Sequence, residues 1–320
     1  MANGIDFTDA AAYKAYVEDF AMQLFTRLFY GFRTSQLATP VEGVKGRHIL
    51  TELIVNSGLA KRWAATFVGT ANTSYKPYTL TVARNKVEHY VIPQEFESTY
   101  LGMMRRSGQD PTDYPFEAYT LGKILDQLAV ELENAFWQGE AAVSPASTDL
   151  LAATFDGILT QVADAITATD LTETSTGVIT EADVLDQFRA LWAVVNTAQK
   201  NLGTDIFVSY PVYDLYRIKY KKTYGADPAY VKIDNSNYEQ GIRYEMSSTA
   251  QIIPIPGMGT SQRIIIMPRE RLFFGYDALA DWGNFRFEQN HRQLDYWCDF
   301  NFGALAVMLR DGACVVNDQA

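Results

Sequence analysis

A chain of 320 residues, 48% hydrophobic and 20% charged, is long enough for one large or two modest cores and too apolar to remain disordered. Its net charge of −11 argues against a sequence-specific reader of nucleic acid, which needs a basic surface against the phosphates. Two cysteines, Cys298 and Cys314, have no Cys or His at zinc spacing and read as free thiols. The first residues lack a basic stretch followed by an apolar run. No segment approaches 18 uninterrupted apolar residues, so neither a secretory signal nor a membrane span is expected.

In chain order, residues 8–32 read as an amphipathic helix. Thr8 caps it, Phe20, Leu24, Phe25, Leu28 and Phe29 form its stripe, and Gly31 stops it. Residues 34–60, with Pro40, Gly43, Gly46 and Gly58, read as irregular chain around one apolar run, Ile49 to Val55. The segments 61–68 and 78–92 are rich in aromatic and β-branched residues, with a turn-like stretch between them, and are expected to pair as a hairpin. A two-stranded hairpin is marginal alone in water and must lie on something, its own domain or another subunit.

Residues 112–139 carry the strongest helix pattern. Thr112 and Asp113 can cap it, Pro115 suits the first turn, and Leu121, Leu125, Leu128, Leu132 and Phe136 share one face. About 24 residues give a helix of roughly 36 Å, longer than the usual three turns. The low-complexity stretch 141–154 reads as a domain seam. Beyond it, 155–167 is helical. Thr180 and Asp183 resemble a capping box opening a helix of Val184, Leu185, Phe188, Leu191, Trp192 and Val195. The run 205–209 is a short buried strand, and the segment from Val212 is a helix with a basic end. Helix, strand and helix in succession suggest an α/β layer. Residues 225–248 look irregular, while 250–257, 263–277 and 285–316 look like strands.

Motifs for catalysis are missing from the sequence. No phosphate-binding glycine loop, HExxH, CxxC or GxSxG is present, and Gly257-Met258-Gly259 lacks a third glycine and a following helix. His48, His89 and His291 are scattered, Glu95 and Glu97 read as an acidic helix start, and Arg217, Lys219, Lys221 and Lys222 read as a solvated helix end. No catalytic, cofactor-binding or metal residue is assigned, no cofactor is expected, and the chain is not expected to be an enzyme.

The order of pieces, together with particular stretches, carries a resemblance. Residues 43–50, 78–96 and 97–102, then 205–222, 263–277 and 285–307, resemble corresponding parts of the major capsid proteins of tailed bacteriophages, the HK97-like capsid fold. The resemblance implies an α+β fold. It divides into an N-terminal arm (1–40), an extended hairpin or E-loop region (41–96), a P domain with a long spine helix (97–150), an A domain (151–270) and P-domain return strands (271–320). It implies a subunit that self-assembles into pentamers and hexamers, forming an icosahedral shell around double-stranded DNA without reading it. The acidic charge is compatible with such a shell. A portal and decoration proteins are further partners the family implies, and the location is the virion, after assembly in a host cytoplasm. Residues 1–40 leave no room for a built-in scaffold domain, so a separate scaffolding protein is expected. Phe25, Phe29, Tyr75, Tyr78, Arg84 and Lys86 are the expected subunit contacts. Some relatives cross-link a hairpin lysine to an asparagine of a neighbour. Lys76, Lys86 and Asn301 are of the right types, but no catalytic carboxylate is placed beside them and no cross-link is expected. The alternatives are an encapsulin-type cellular compartment, which shares the fold, and a soluble α/β enzyme with a scattered site.

Overall fold

The computed structural model describes residues 28, 31–55, 60–63, 66, 73–92, 116–144, 146, 150–231, 241–278, 286–290, 293–307 and 309–319. The expected N-terminal helix lies almost wholly outside these residues, as do Phe25 and Phe29, Glu95 and Glu97, and His291. The first strands are β1 (Thr39–Val41), β2 (Arg47–Val55), β3 (Thr73–Thr81) and β4 (Ala83–Val91). Helices α1 (Phe116–Gln138) and α2 (Ile158–Thr167) follow, then β5 (Glu173–Thr174), α3 (Val184–Val194), α4 (Thr197–Leu202), β6 (Asp205–Ser209) and α5 (Tyr210–Tyr224). The rest is β7 (Tyr230–Val231), β8 (Gly241–Arg243), β9 (Gln251–Ile255), β10 (Ile265–Met267), β11 (Leu272–Gly275), β12 (Arg286–Asn290), β13 (Gln293–Ala306) and β14 (Val315–Asn317).

A seven-stranded sheet of order β5-β14-β10-β6-β9-β8-β7 forms the centre. The middles of its central strands, Ile206–Val208, Ile252–Ile255 and Ile265–Met267, are apolar at successive positions because both faces are covered. Alternate residues point to opposite faces. Ile206, Val208, Ile252, Ile266 and Val315 face one way and join α3 and α5 through Phe188, Leu191, Trp192, Val212 and Tyr216. Phe207, Ile253, Ile255, Ile265, Met267 and Val316 face the other way and join α1 and α2. Two hydrophobic clusters therefore share one sheet.

Helix α1 is the long helix that the leucine pattern predicts. Leu121, Leu125, Leu128, Leu132 and Phe136 are all buried along its stripe, and 23 residues at 1.5 Å each make about 35 Å. At its described residues, the stretch 141–154 doubles back on the end of this helix. The amides of Glu140 and Ala142 donate to the carbonyls of Ala152 and Ala153, and Gly157 donates to the carbonyl of Gly139. A side chain on either Gly139 or Gly157 would strike the opposing backbone, so the close approach needs glycine at both. Phe155, Ile158 and Val162 then pack in the same cluster as the helix.

Five of the remaining strands form a second sheet of order β1-β11-β13-β12, with β4 also paired to β13. Leu294, Tyr296, Cys298, Phe300 and Phe302 alternate inward along β13, while Asp295, Trp297, Asp299 and Asn301 alternate outward. Phe32 sits at the centre, with its ring 5.9 Å from Phe136, 5.8 Å from Phe274 and 5.7 Å from Phe302. It fixes the chain leaving the N-terminal segment. Beyond it Thr34 donates to Glu133 of α1 through its amide at 2.8 Å and its hydroxyl at 2.6 Å, and Trp137 Nε1 donates to the same hydroxyl at 2.8 Å. Burial pushes the Glu133 carboxyl above its ordinary range, while the Thr34 donors and Arg33 pull against that rise.

Several expectations change at this level. The irregular segment 34–60 contains a nine-residue strand, β2, and it is this strand that pairs with β3. The expected partner, residues 61–68, is not a strand at its described positions. The single strand expected over 78–92 is two, broken at Val82, with β3 in the hairpin and β4 in the five-stranded sheet. Thr180 and Asp183 bond side chain to side chain at 2.9 Å, and Asp183 makes no side-chain cap of α3, so the capping box is not formed. The segment 263–277 is likewise two strands in two sheets, separated by a tight turn at Arg269–Arg271.

Candidate subunit-contact surface

Among the described residues, strands β2 and β3 pair only with each other, in an antiparallel ladder from Arg47 opposite Thr81 to Val55 opposite Thr73. One face of the ladder is rooted in the body. Leu50, Tyr78 and Leu80 pack with Phe273, Leu305, Val307 and Val82. The other face has no cover among the described residues. Ile49 is 63% exposed, Leu53 52% and Tyr75 71%, with Val55 also exposed. Leu53 and Tyr75 stand directly opposite each other. An aromatic opposite an aliphatic residue is a favourable cross-strand pair and the usual makeup of a contact anchor. A row of large apolar side chains on an edge-exposed ribbon marks an interaction surface or an aggregation site.

The chain leaves the hairpin through a notch. Gly275 and Gly303 are register partners in β11 and β13, and the chain crosses over them at Thr81–Val82. A side chain at Gly303 would overlap the Thr81 carbonyl, and one at Gly275 would press on Leu80 and Val82. Two opposed glycines thus let one continuous stretch serve two sheets.

The structure separates the four described contact residues. Tyr75 lies on the exposed hairpin face. Tyr78 points the opposite way, into the root, where its hydroxyl donates to Glu52 at 3.3 Å. Arg84 and Lys86 are not in the hairpin. They lie on β4, where Arg84 pairs with Asp299 at 2.8 Å and Lys86 with Glu88 at 2.7 Å. Arg84 lines two open grooves, and Lys86 lines one of them, the groove between β4 and α1. Lys76 pairs with Asp170 at 2.7 Å, and Asn301 sits opposite Arg84 on β13. Ile49, Leu53 and Val55 were not singled out by the sequence reading. The signal was present, because the run from Ile49 to Val55 is apolar at both odd and even positions, as in a strand with two faces to cover.

The other candidate groups have structural duties. Gly257 packs on the backbone of Glu133 and on Trp137, so the GxG is a turn that seats against α1. The basic end of α5 is matched by carboxylates, with Lys221 on Asp227 at 3.1 Å, Lys222 on Glu181 and Arg217 near Asp214 at 3.8 Å. His89 stacks near Tyr296 at 6.3 Å, and His48 lies exposed on β2. Cys298 and Cys314 are buried and unbridged, and burial pushes the Cys314 thiol up to about 12. No group of three or more metal-ligating side chains occurs among the described residues.

No family model and no curated protein matches the chain. Solved structures do. A chain of the satellite phage P4 procapsid, whose structure includes the size determination (Sid) protein, matches with a TM-score of 0.53, covering 92% of this chain and 89% of that one at 12% identity. A chain of the cyanophage A-1(L) capsid asymmetric unit matches at 0.55, covering 90% and 92%, also at 12% identity. The capsid of an empty GTA particle matches at 0.52, covering 90% and 89%, again at 12%. The chain has the fold of these capsid subunits. Each match covers at least nine-tenths of the chain.

Proposed function

We propose that the chain is the major capsid protein of a tailed phage or phage-like particle, self-assembling into pentamers and hexamers of an icosahedral shell. The observation that carries this reading is the apolar face of the β2–β3 hairpin, which the described part of its own chain leaves uncovered. The capsid-subunit fold supports it. In that fold's terms the hairpin is the E-loop, α1 is the spine helix of the P domain together with the five-stranded sheet, and the seven-stranded sheet with α3 and α5 is the A domain. Ile49, Leu53, Val55 and Tyr75 are the contact residues. The hairpin of each copy lies across a neighbour and buries them. Many modest contacts of this kind, repeated around a closed shell, give stability without any single tight pair. The shell encloses double-stranded DNA, works with a separate scaffolding protein, a portal and decoration proteins, and is built in a host cytoplasm.

Expression of the chain with and without its scaffold, followed by electron microscopy, tests the reading. Rings, sheets or shells are expected. A monomer that never assembles under any condition would overturn it. The sharper variant is Leu53→Asp with Tyr75→Lys, an opposite-charge pair across the ladder. It places two charges on the exposed face, leaves the buried root untouched and is expected to abolish shells while keeping the circular dichroism spectrum and melting profile. Deleting residues 70–77 is a poorer probe, because 73–77 belong to β3 and their loss would remove half a strand.

A further inference from the structure

The body-facing side of the hairpin is not wholly apolar. Between Leu50 and Ile54 on β2 stands Glu52, and between Ser74 and Tyr78 on β3 stands Lys76. The two are register partners, directly opposite each other across the ladder. Each has its ion pair with the body. Glu52 accepts from Arg310 at 2.8 Å, and Lys76 pairs with Asp170 at 2.7 Å. The Glu52 side chain is only 8% exposed, so solvent screens its pair weakly.

The two body residues come from loops that are stapled together. The Asp311 amide donates to the Asp170 carbonyl at 3.1 Å, and Thr172 donates to the Asp311 carboxylate through its amide at 2.7 Å and its hydroxyl at 2.9 Å. Arg310 and Asp170 are therefore presented as one rigid pair, in the order that complements Glu52 and Lys76. The residue before Asp170 is Thr169, with φ 59°, the only non-glycine residue at positive φ among the described residues. A β-branched residue in that region is strained. The left-handed turn closes α2, with the amides of Asp170 and Leu171 donating to the Ala165 carbonyl, and so fixes the place of Asp170 at the helix end.

We propose that Glu52, Lys76, Arg310 and Asp170 form an ionic latch that holds the hairpin at one angle to its own subunit, and that the hairpin swings when the four charges part. The apolar root at Leu50, Tyr78 and Leu80 is the pivot, and the notch at Gly275 and Gly303 lies just behind it. The latch stands on intramolecular geometry alone. Its consequence for assembly, that it sets the direction in which Ile49, Leu53 and Tyr75 meet a neighbour, rests on the shell reading above.

The test is a charge swap on the full-length, unassembled chain. Spin labels go on Ser74→Cys in the hairpin and Ala193→Cys on α3, because the native cysteines are buried. Distances are read by double electron–electron resonance. With the latch intact, one narrow distance population is expected. Glu52→Lys with Lys76→Glu keeps the net charge and an opposite-charge pair across the ladder, but sets like against like at Arg310 and Asp170. The population is expected to broaden and shift. Adding Arg310→Glu and Asp170→Lys restores complementarity and is expected to restore the narrow population. Glu52→Gln with Lys76→Gln, a milder change that keeps the side-chain shapes, is expected to broaden it partly. An unchanged distribution in the hairpin swap, or no recovery in the fourfold variant, overturns the latch. Since the distances are read before assembly, a failure of the shell reading and a failure of the latch are separate results.

Discussion

The hairpin and the seven-stranded sheet are built by the same rule and end differently. In the sheet, both sets of alternate residues along β6, β9 and β10 are covered by helices of the same chain. In the hairpin, one set is covered and the other is left bare. The first region is finished when the chain folds. The second is unfinished until something else arrives. The difference separates residues that matter to folding from residues that matter to association, and substitutions can tell them apart.

The largest effect is expected in the finished region. Phe207→Ala in β6 opens a cavity between the sheet and α1, and is expected to cost about 3–5 kcal/mol in chemical denaturation of the unassembled chain. At the boundary between the regions, Gly303→Ala pushes a methyl group into the Thr81 carbonyl. A loss of about 1–3 kcal/mol is expected, with the same measurement as the check. A native-like stability would show that the crossing chain is free to move.

Of the same order is the contribution of the clamp between the arm exit and α1. Thr34→Val removes the hydroxyl that joins Trp137 to Glu133 and should cost about 1–3 kcal/mol, since it strands buried polar groups. The pH dependence at the same place has a definite sign. The folded Glu133 holds its proton more firmly than the unfolded one, because burial raises its carboxyl. Its contribution to stability is therefore fully present at low pH and is lost as pH climbs from the ordinary glutamate range through the raised value. Glu133→Gln lacks this titration, so its stability relative to the native chain should rise across that window. Urea midpoints at a series of pH values check it, and a relative fall would reverse the assignment.

The smallest effect on folding is expected on the bare face of the hairpin. Leu53→Ala and Tyr75→Ala should each change the stability of the unassembled chain by no more than about 0.5 kcal/mol, as exposed positions do. Assembly, followed by light scattering, should be strongly impaired. If instead these variants unfold the subunit, the face is covered by its own chain, and the contrast between the two regions disappears.

Local pattern and chemistry made much of the chain legible. The leucine stripe of α1, the buried run of β6, the apolar face of α3 and the basic end of α5 each rest on spacing within one element, and each appears where the spacing predicts. Gly225 ends α5 in a left-handed conformation, as a helix-stopping glycine does. What the sequence could not determine was pairing. β2 carries the same kind of apolar run as a buried strand, and nothing local says that its partner is Thr73–Thr81 and not the aromatic stretch before it. One residue, Val82, divides a strand-like run into two strands of different sheets, and the cause lies far away in the opposed glycines 275 and 303. Glu52 and Lys76 read as ordinary solvated charges until Asp170 and Arg310, more than 90 residues distant in each case, are brought beneath them. Periodicity is written along the chain and fixes which face of an element is apolar. Register, crossing points and charge partners depend on residues remote in sequence, and only the tertiary structure decided them.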